Sequence, residues 1–344
     1  MTKIILPVFF LNLLGFFNLF GIDQALAVKQ FYFIVACFAA FFLVKKIGRN
    51  FITANSVFFY WLSIGFLILT FFIGKEIRGS KRWIDFYFFN FQASEIFKPF
   101  FILFLANYLI RDYRLELSLK TFLKSLGFFL LPFLLVFKQP DLGNAGVYLF
   151  VFLILIMFSG LPKKYLFYIS LALLIIFPVF WNLMKVYQRD RILSFFNPKL
   201  DQRGTAYNMT QAIITVGSGK LLGRGLGLGT QSRLYFLPEN HTDFAYSSLV
   251  EQFGFLGGLV VIGLYIFVVY LLIRRLLYFY YSREADMKKK FLYSIGFMSY
   301  FIFQIFVNIG MNVGLFPITG IALPFISFGG SSLVATMVSM ALLP

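Results

Sequence analysis

Long unbroken apolar runs, separated by short basic segments, set the pattern of this chain. Ten can be marked: Ile4–Phe20, Phe31–Val44, Ser56–Ile73, Ala93–Ile110, Phe122–Phe137, Ala145–Gly160, Tyr165–Tyr187, Phe244–Ile273, Phe291–Gly310 and Ile321–Leu343. A helix needs roughly 17–25 apolar residues to cross the hydrocarbon of a bilayer, and most of these runs reach that length. The second and sixth are short or broken by glycine. Apolar residues run on rather than alternate, which argues against a β-barrel. The pattern predicts an all-α, polytopic membrane protein with a single transmembrane domain over residues 1–344. It has about ten helices and a large loop between the seventh and eighth. An even count places both termini on one side.

Within that loop, TAYNMTQAIITVGSG (Thr205 to Gly219) sets Tyr207, Met209, Ile213, Ile214 and Val216 against Asn208, Gln211 and Thr215. This predicts a short amphipathic helix on the membrane surface. The glycine-rich GSGKLLGRGLGLGTQ that follows lacks the Walker spacing. Its backbone amides either approach an oxyanion or form a plain flexible loop.

The side of the membrane follows from the loops. Lys45, Lys46, Arg49, Arg111, Arg114, Lys163, Lys164, Arg274, Arg275, Arg283 and residues 288–290 fall on the side of Lys3, which is cytoplasmic by the positive-inside rule. Two opposite loops break the rule. Residues 74–92 carry Lys75, Arg78, Lys81 and Arg82; residues 188–242 carry Arg189, Arg191, Lys199, Arg203, Lys220, Arg224 and Arg233. Positive charge against topology points to an external anionic ligand, although a long loop also translocates whatever its charge. Topology accounts for most of the net charge of +17, so no nucleic-acid partner is expected. Residues 60% hydrophobic and 13% charged exceed what one soluble core could hide. The single cysteine, Cys37, excludes an internal disulfide, and the single histidine, His241, argues against a zinc hydrolase. Lys3, the apolar stretch after it and Ala25-Leu26-Ala27 imitate a signal peptide, but the stretch exceeds a usual h-region, so a retained first span is expected.

Several charges lie inside or at the ends of spans, where each costs about 2.5–3.5 kcal/mol on insertion scales and is usually paired. Glu95 and Lys98, at i and i+3, share a helical face. Lys138, Asp141, Asp243 and Glu251 add acids and bases near one outward level, a set suited to ion-coupled transport or to chemistry on an anionic lipid.

GSKRWIDFYFFNFQASEIFK, KQPDLG, YQRDRILSFFNP, FLPENHTDF with EQFGFLGG, and NIGMNVGLFPITGIALPFISFGGSSL stand in this order between Gly79 and Leu333. They resemble the hallmark segments of the SEDS family of bacterial cell-wall polymerases. YQRDRILSFFNP and GTQSRLYFLPENHTDF resemble the RodA branch, with FtsW the close alternative.

The resemblance implies a peptidoglycan glycosyltransferase that polymerises lipid II and releases polyprenyl pyrophosphate. It would act at the outer face of the bacterial cytoplasmic membrane, with cytoplasmic termini, beside a class B penicillin-binding protein and membrane lipids. The acid of the HTDF segment, essential in the family, maps to Asp243 as general base. Its bland alternative is a helix N-cap. Arg82, Lys98, Arg189, Arg191 and Arg224 become candidates to hold phosphates. Trp83 would pack the first outer loop, Glu95 and Asp141 would orient Lys98, and Glu239 and His241 would lie beside substrate. By analogy with other phosphate chemistry a divalent cation (Mg or Mn) would bridge carboxylate and pyrophosphate, although no ligand set in the sequence demands it. Rival readings are a lipid II flippase, an ion-coupled lipid transporter, or a scaffold that positions a transpeptidase.

Overall fold

The computed structural model describes residues 2–77, 80–86, 89–110, 119–160, 162–197, 204–282 and 284–344. Arg78, Arg111, Arg114, Lys199, Arg203 and Arg283 lie outside the described residues, as does the side chain of Lys163. In chain order the helices are α1 (Thr2–Ile22), α2 (Gln24–Ile47), α3 (Arg49–Ala54) and α4 (Ser56–Ile73); strands β1 (Lys75–Ile77), β2 (Ser80–Asp85) and β3 (Asn90–Gln92) come next. Then follow α5 (Ala93–Ile110), α6 (Leu119–Lys138), α7 (Leu142–Phe158), α8 (Lys163–Leu183), α9 (Val186–Phe196), α10 (Thr205–Ser218), α11 (Thr230–Arg233), α12 (Ala245–Tyr280), α13 (Ala285–Asn312) and α14 (Gly330–Ala341).

Every expected span contains a helix. Eight are long and apolar enough to cross a membrane, whereas α7 and α14 are shorter. The all-α expectation holds, with one addition: β1, β2 and β3 form a small antiparallel sheet in the loop after α4, where Trp83 pairs with Lys75 on one side and Gln92 on the other.

The expected span 321–343 is only half helical. Residues 313–329 are turns and extended backbone, and α14 starts at Gly330. Pro317 and Pro324 cannot donate to a helix, and Gly314 and Gly320 turn the chain at φ 80° and 72°. The stretch from Ile321 to Ser327 is mostly buried, so its polar backbone needs partners, and side chains supply several.

The chain divides into two compact units. Unit 1 comprises Met1–Cys37, Val186–Ile273 and Ile302–Leu333; unit 2 comprises Phe38–Lys185, Arg274–Phe301 and Val334–Pro344. In unit 1, α1 is packed rather than peripheral. Asn18 Nδ2 donates to Ala245 O (3.2 Å) and Ser248 Oγ (3.0 Å), and Gln252 Nε2 donates back to Asn18 Oδ1 (2.8 Å). A Cβ on Gly15 would strike the Ile326 backbone at 2.8 Å, so only glycine permits that approach. In unit 2, Tyr60 donates to Phe128 O (2.7 Å) and Tyr293 to Ser339 O (2.8 Å), tying α4 to α6 and α13 to α14.

Candidate functional site

In unit 1 the HTDF turn leads into α12 and is held through three successive carbonyls. His241 O accepts from Phe328 N (2.8 Å) and Thr242 O from Ser327 Oγ (2.6 Å). Asp243 O accepts from both Asn308 Nδ2 and Asn312 Nδ2 at 3.1 Å. Asn308 and Asn312 lie one turn apart on α13. Asn308 also donates to Ile321 O (2.7 Å), and Asn312 Oδ1 accepts from Ser247 N (2.9 Å) and Ser247 Oγ (2.6 Å). With its main chain bound on three sides, the turn fixes the direction of the Asp243 side chain, which remains partly accessible. α12 begins at Ala245, so Asp243 sits in the turn ahead of the helix and not at its N-cap.

Gly320 lies against this carboxylate. A Cβ built there would stand 3.8 Å from Asp243 Oδ2 and 3.8 Å from Arg191 Nη1, so acid and guanidinium both lie within van der Waals reach of this one position. Arg191, on α9, rests over the Tyr187 ring at 5.8 Å. Glu239 accepts from Thr242 Oγ1 (2.9 Å) through Oε2, and its carbonyl accepts from Thr242 N and Phe244 N, so it braces the turn. His241 Nδ1 lies 3.2 Å from Asn240 Oδ1, and its ring meets Phe328 edge-on. Arg189 is half-buried on the same helix as Arg191.

The glycine-rich loop is docked. α12 breaks at Gly254 (φ 76°, ψ −179°), which frees helix carbonyls and amides. Arg224 N donates to Glu251 O (2.9 Å) and Gly225 N to Gln252 O (3.0 Å), while Phe255 N and Leu256 N donate to the carbonyls of Lys220 and Leu221. Loop and broken helix thus satisfy each other. The amides of Arg224 and Gly225 are engaged, which removes them as an oxyanion cradle. The Arg224 guanidinium binds Thr230 Oγ1 (2.9 Å) and Ser218 O (3.3 Å) and so also serves the loop. Glu251 is buried and accepts from Gln231 N, Ser232 N and Ser232 Oγ at 2.6–2.9 Å. It is a loop anchor.

α10 forms as expected, and one of its faces packs inward. Met209, Ala212 and Thr215 are buried, and Met209 and Ala212 join Leu237, Phe244, Met311 and Ile318 in one core. Ile213 and Ile214 are exposed. Thr215 is buried at little cost because its hydroxyl donates to Gln211 O within the helix (2.6 Å).

Unit 2 holds the other predicted residues. Lys98 Nζ lies 2.7 Å from Glu95 Oε1, with side chains only 1% and 5% exposed, and 5.3 Å from the Tyr300 ring centre. The pair is close but not aligned as a hydrogen bond, and Glu95 Oε2 has no partner among the described residues. Asp141 does not pair with Lys98. It caps α7 through Asn144 N (3.2 Å) and accepts from Asn144 Nδ2, Gln92 Nε2 and Ser94 Oγ. Arg82 Nη1 approaches it at 3.8 Å, while the rest of that guanidinium holds the carbonyls of Gln139 (3.3 Å) and Pro140. The guanidinium stacks near Trp83 at 5.9 Å. These contacts pin the sheet to the α6–α7 corner. Among the described residues, no three of His, Cys, Asp and Glu gather to hold a metal.

Over residues 4–344 the sequence matches a family described as cell cycle protein, FtsW/RodA/SpoVE. The chain belongs to this family. It is 33% identical over 323 residues to the probable peptidoglycan glycosyltransferase FtsW of Alteromonas naphthalenivorans, covering 92% of the chain and 61% of that relative. It is 36% identical over 281 residues to the peptidoglycan glycosyltransferase MrdB of Escherichia coli (strain K12), covering 81% and 74%. A chain solved in a peptidoglycan synthase complex superposes with TM-score 0.81 at 28% identity, covering 100% of this chain and 96% of that one.

This FtsW/RodA/SpoVE protein is therefore a bacterial-type multi-pass membrane protein. Sequence reasoning missed Asn308, Asn312, Ser327 and Gly320. The asparagines did leave a signal: two amides at i and i+4 in an apolar helix share one face and need partners.

Proposed function

We propose that the chain is a peptidoglycan glycosyltransferase of the RodA type, polymerising lipid II at the outer face of the cytoplasmic membrane with Asp243 as general base. The observation that carries this reading is the HTDF turn. Its backbone is fixed by Asn308, Asn312, Ser327 and Phe328, and its carboxylate and Arg191 both lie close to Gly320. In the step proposed, Asp243 takes the proton of the acceptor sugar 4-hydroxyl as that oxygen bonds to the donor anomeric carbon. The anomeric carbon–oxygen bond breaks, and the electron pair leaves with polyprenyl pyrophosphate. Arg191, with Arg189 beside it, stabilises the departing charge. His241 and Glu239 keep the turn in place next to the sugar.

Lys98 and the unpartnered Glu95 Oε2 are assigned to a polar or anionic part of the substrate, since a buried, incompletely satisfied pair is costly unless something completes it. Arg82, Trp83 and Asp141 support the outer sheet, and Arg224 the glycine-rich loop. A Mg or Mn ion, if bound, would share Asp243 with substrate oxygens. The termini are placed in the cytoplasm, and a class B penicillin-binding protein is the partner that would cross-link the strands.

The test is to incubate the purified full chain, with and without that partner, with lipid II. Glycan strands and released polyprenyl pyrophosphate are expected. Movement of lipid II across vesicles without strand formation would favour the flippase reading instead.

A further inference from the structure

The basic residues at one end of unit 2 enclose a cavity. Lys45 lies in the last turn of α2, Arg49 opens α3, Arg275 lies near the end of α12 and Lys290 in the second turn of α13. All four line one open cavity of about 510 Å³, with Tyr278 and Phe279 forming part of its apolar wall. Such a volume suits a small ligand or a lipid headgroup.

The charges there are poorly balanced. Asp286 pairs with Lys290 (2.5 Å) and offsets one cation. Lys45 Nζ donates to Leu343 O at 3.5 Å, lies over the Phe41 ring at 6.0 Å and pairs with no carboxylate among the described residues. Among the described residues no carboxylate forms an ion pair with Arg49 or Arg275. Arg49 Nε is buried and has no hydrogen-bond partner. Burial pushes the Arg49 pKa down, and nearby Arg275 pushes the same way, only partly offset by Tyr293 and Asp286. Folding has gathered like charges around an open space and left a buried donor without an acceptor, an arrangement that costs free energy unless an anion completes it.

Two observations favour a lipid over a free anion. The cations stand at the ends of candidate membrane spans, where basic clusters meet anionic headgroups. Leu43, Ile47 and Tyr278 are exposed along the same helix ends and offer an apolar track for acyl chains. We propose that this cavity binds the phosphate headgroup of an anionic phospholipid, held by Arg49 and Arg275 with Lys45 and Lys290 around it. The site uses none of the residues assigned to lipid II chemistry, and the inference does not rest on the polymerase reading.

The experiment is native mass spectrometry of the intact chain released from micelles containing phosphatidylglycerol and phosphatidylcholine in equal amount. Wild type is expected to retain phosphatidylglycerol selectively. Arg49→Gln with Arg275→Gln should lower that retention on the order of thirtyfold, from about 1 kcal/mol per basic group. Arg49→Lys with Arg275→Lys should retain most of it. Because the double glutamine variant removes partly buried groups, the exposed Lys45→Gln serves as a second test and should weaken retention severalfold with an unchanged elution profile. Equal retention of the two lipids, or undiminished retention by the glutamine variants, overturns the proposal. So does displacement of phosphatidylglycerol by millimolar inorganic phosphate, which would make this a free-anion site. Lipid II polymerisation, assayed on the same preparations, reports separately on the proposed activity.

Discussion

Glu95 and Lys98 show how far a residue pair can be read from spacing alone. The i, i+3 separation in an apolar run required one shared face, and the 2.7 Å contact follows from it. What spacing could not show is that the pair is left incomplete, with Glu95 Oε2 unpartnered. Lys98→Ala should therefore destabilise the protein by about 3–5 kcal/mol, because it strands a buried carboxylate. The exchange Glu95→Lys with Lys98→Glu should fold nearly normally and lose polymerisation, since it reverses the charges offered to substrate. Thermal unfolding and strand synthesis, measured together, separate the two; equally mild effects of both variants would remove the pair from the account. Asn312 is the opposite case. Nothing local indicated that its amide would serve partners 65 and 69 residues away, Ser247 and Asp243. Asn312→Leu leaves Asp243 O with Asn308 alone but takes the acceptor from Ser247 N and Oγ, so a loss of about 1–3 kcal/mol per buried group is expected, with reduced activity. Unaltered unfolding and activity would show that the turn is held by other means.

At the scale of elements, hydrophobic runs located ten helices because the bilayer demands length, and length is legible. They could not reveal irregular backbone inside an apolar stretch. Residues 321–329 read as part of a span, although Pro324 marks the break once side-chain partners are known. The strands escaped because β1 and β3 have three residues each and the six of β2, buried only at Ser80 and Ile84, do not alternate. Which face of α10 packs inward was not legible, because Thr215 bonds within its own helix and so is buried as if apolar. α12 supplies a test of this element-level account. Gly254 has φ 76°, and a Cβ there would lie 2.3 Å from Gly223 N, whereas Gly263 in the same helix has nothing within 4 Å. Gly254→Ala should cost about 1–3 kcal/mol from backbone strain alone, before the collision with the loop is counted. Gly263→Ala should be neutral or stabilising by up to about 1 kcal/mol, because alanine favours helix. Similar melting points for the two variants would mean that the loop does not depend on the break.

For the whole molecule, the order of motifs between Gly79 and Leu333 was enough to place the chain in its family, and the match over residues 4–344 bears that out. Of the candidate site, the sequence pointed to Asp243 and Arg191, which both lie near Gly320, and to the Glu95–Lys98 pair. It was less informative at Arg82, Asp141, Arg224 and Glu251, whose charges hold backbone and loops, since sequence shows a charge but not which carbonyl or amide it meets. Orientation is testable on the intact protein. A cysteine placed in residues 217–229 should react with a membrane-impermeant thiol reagent added outside cells, and one at Lys288 should not; the reverse would invert the assigned topology. The central claim, that Asp243 is the general base, is tested most directly by Asp243→Asn, purified with its partner and assayed for glycan strands from lipid II. The substitution keeps the side chain's size and leaves the main-chain bonds of the turn intact, while removing the proton acceptor. The account predicts an unchanged elution profile and melting point with polymerisation reduced about 10²–10⁴-fold; polymerisation at near wild-type rate would contradict it.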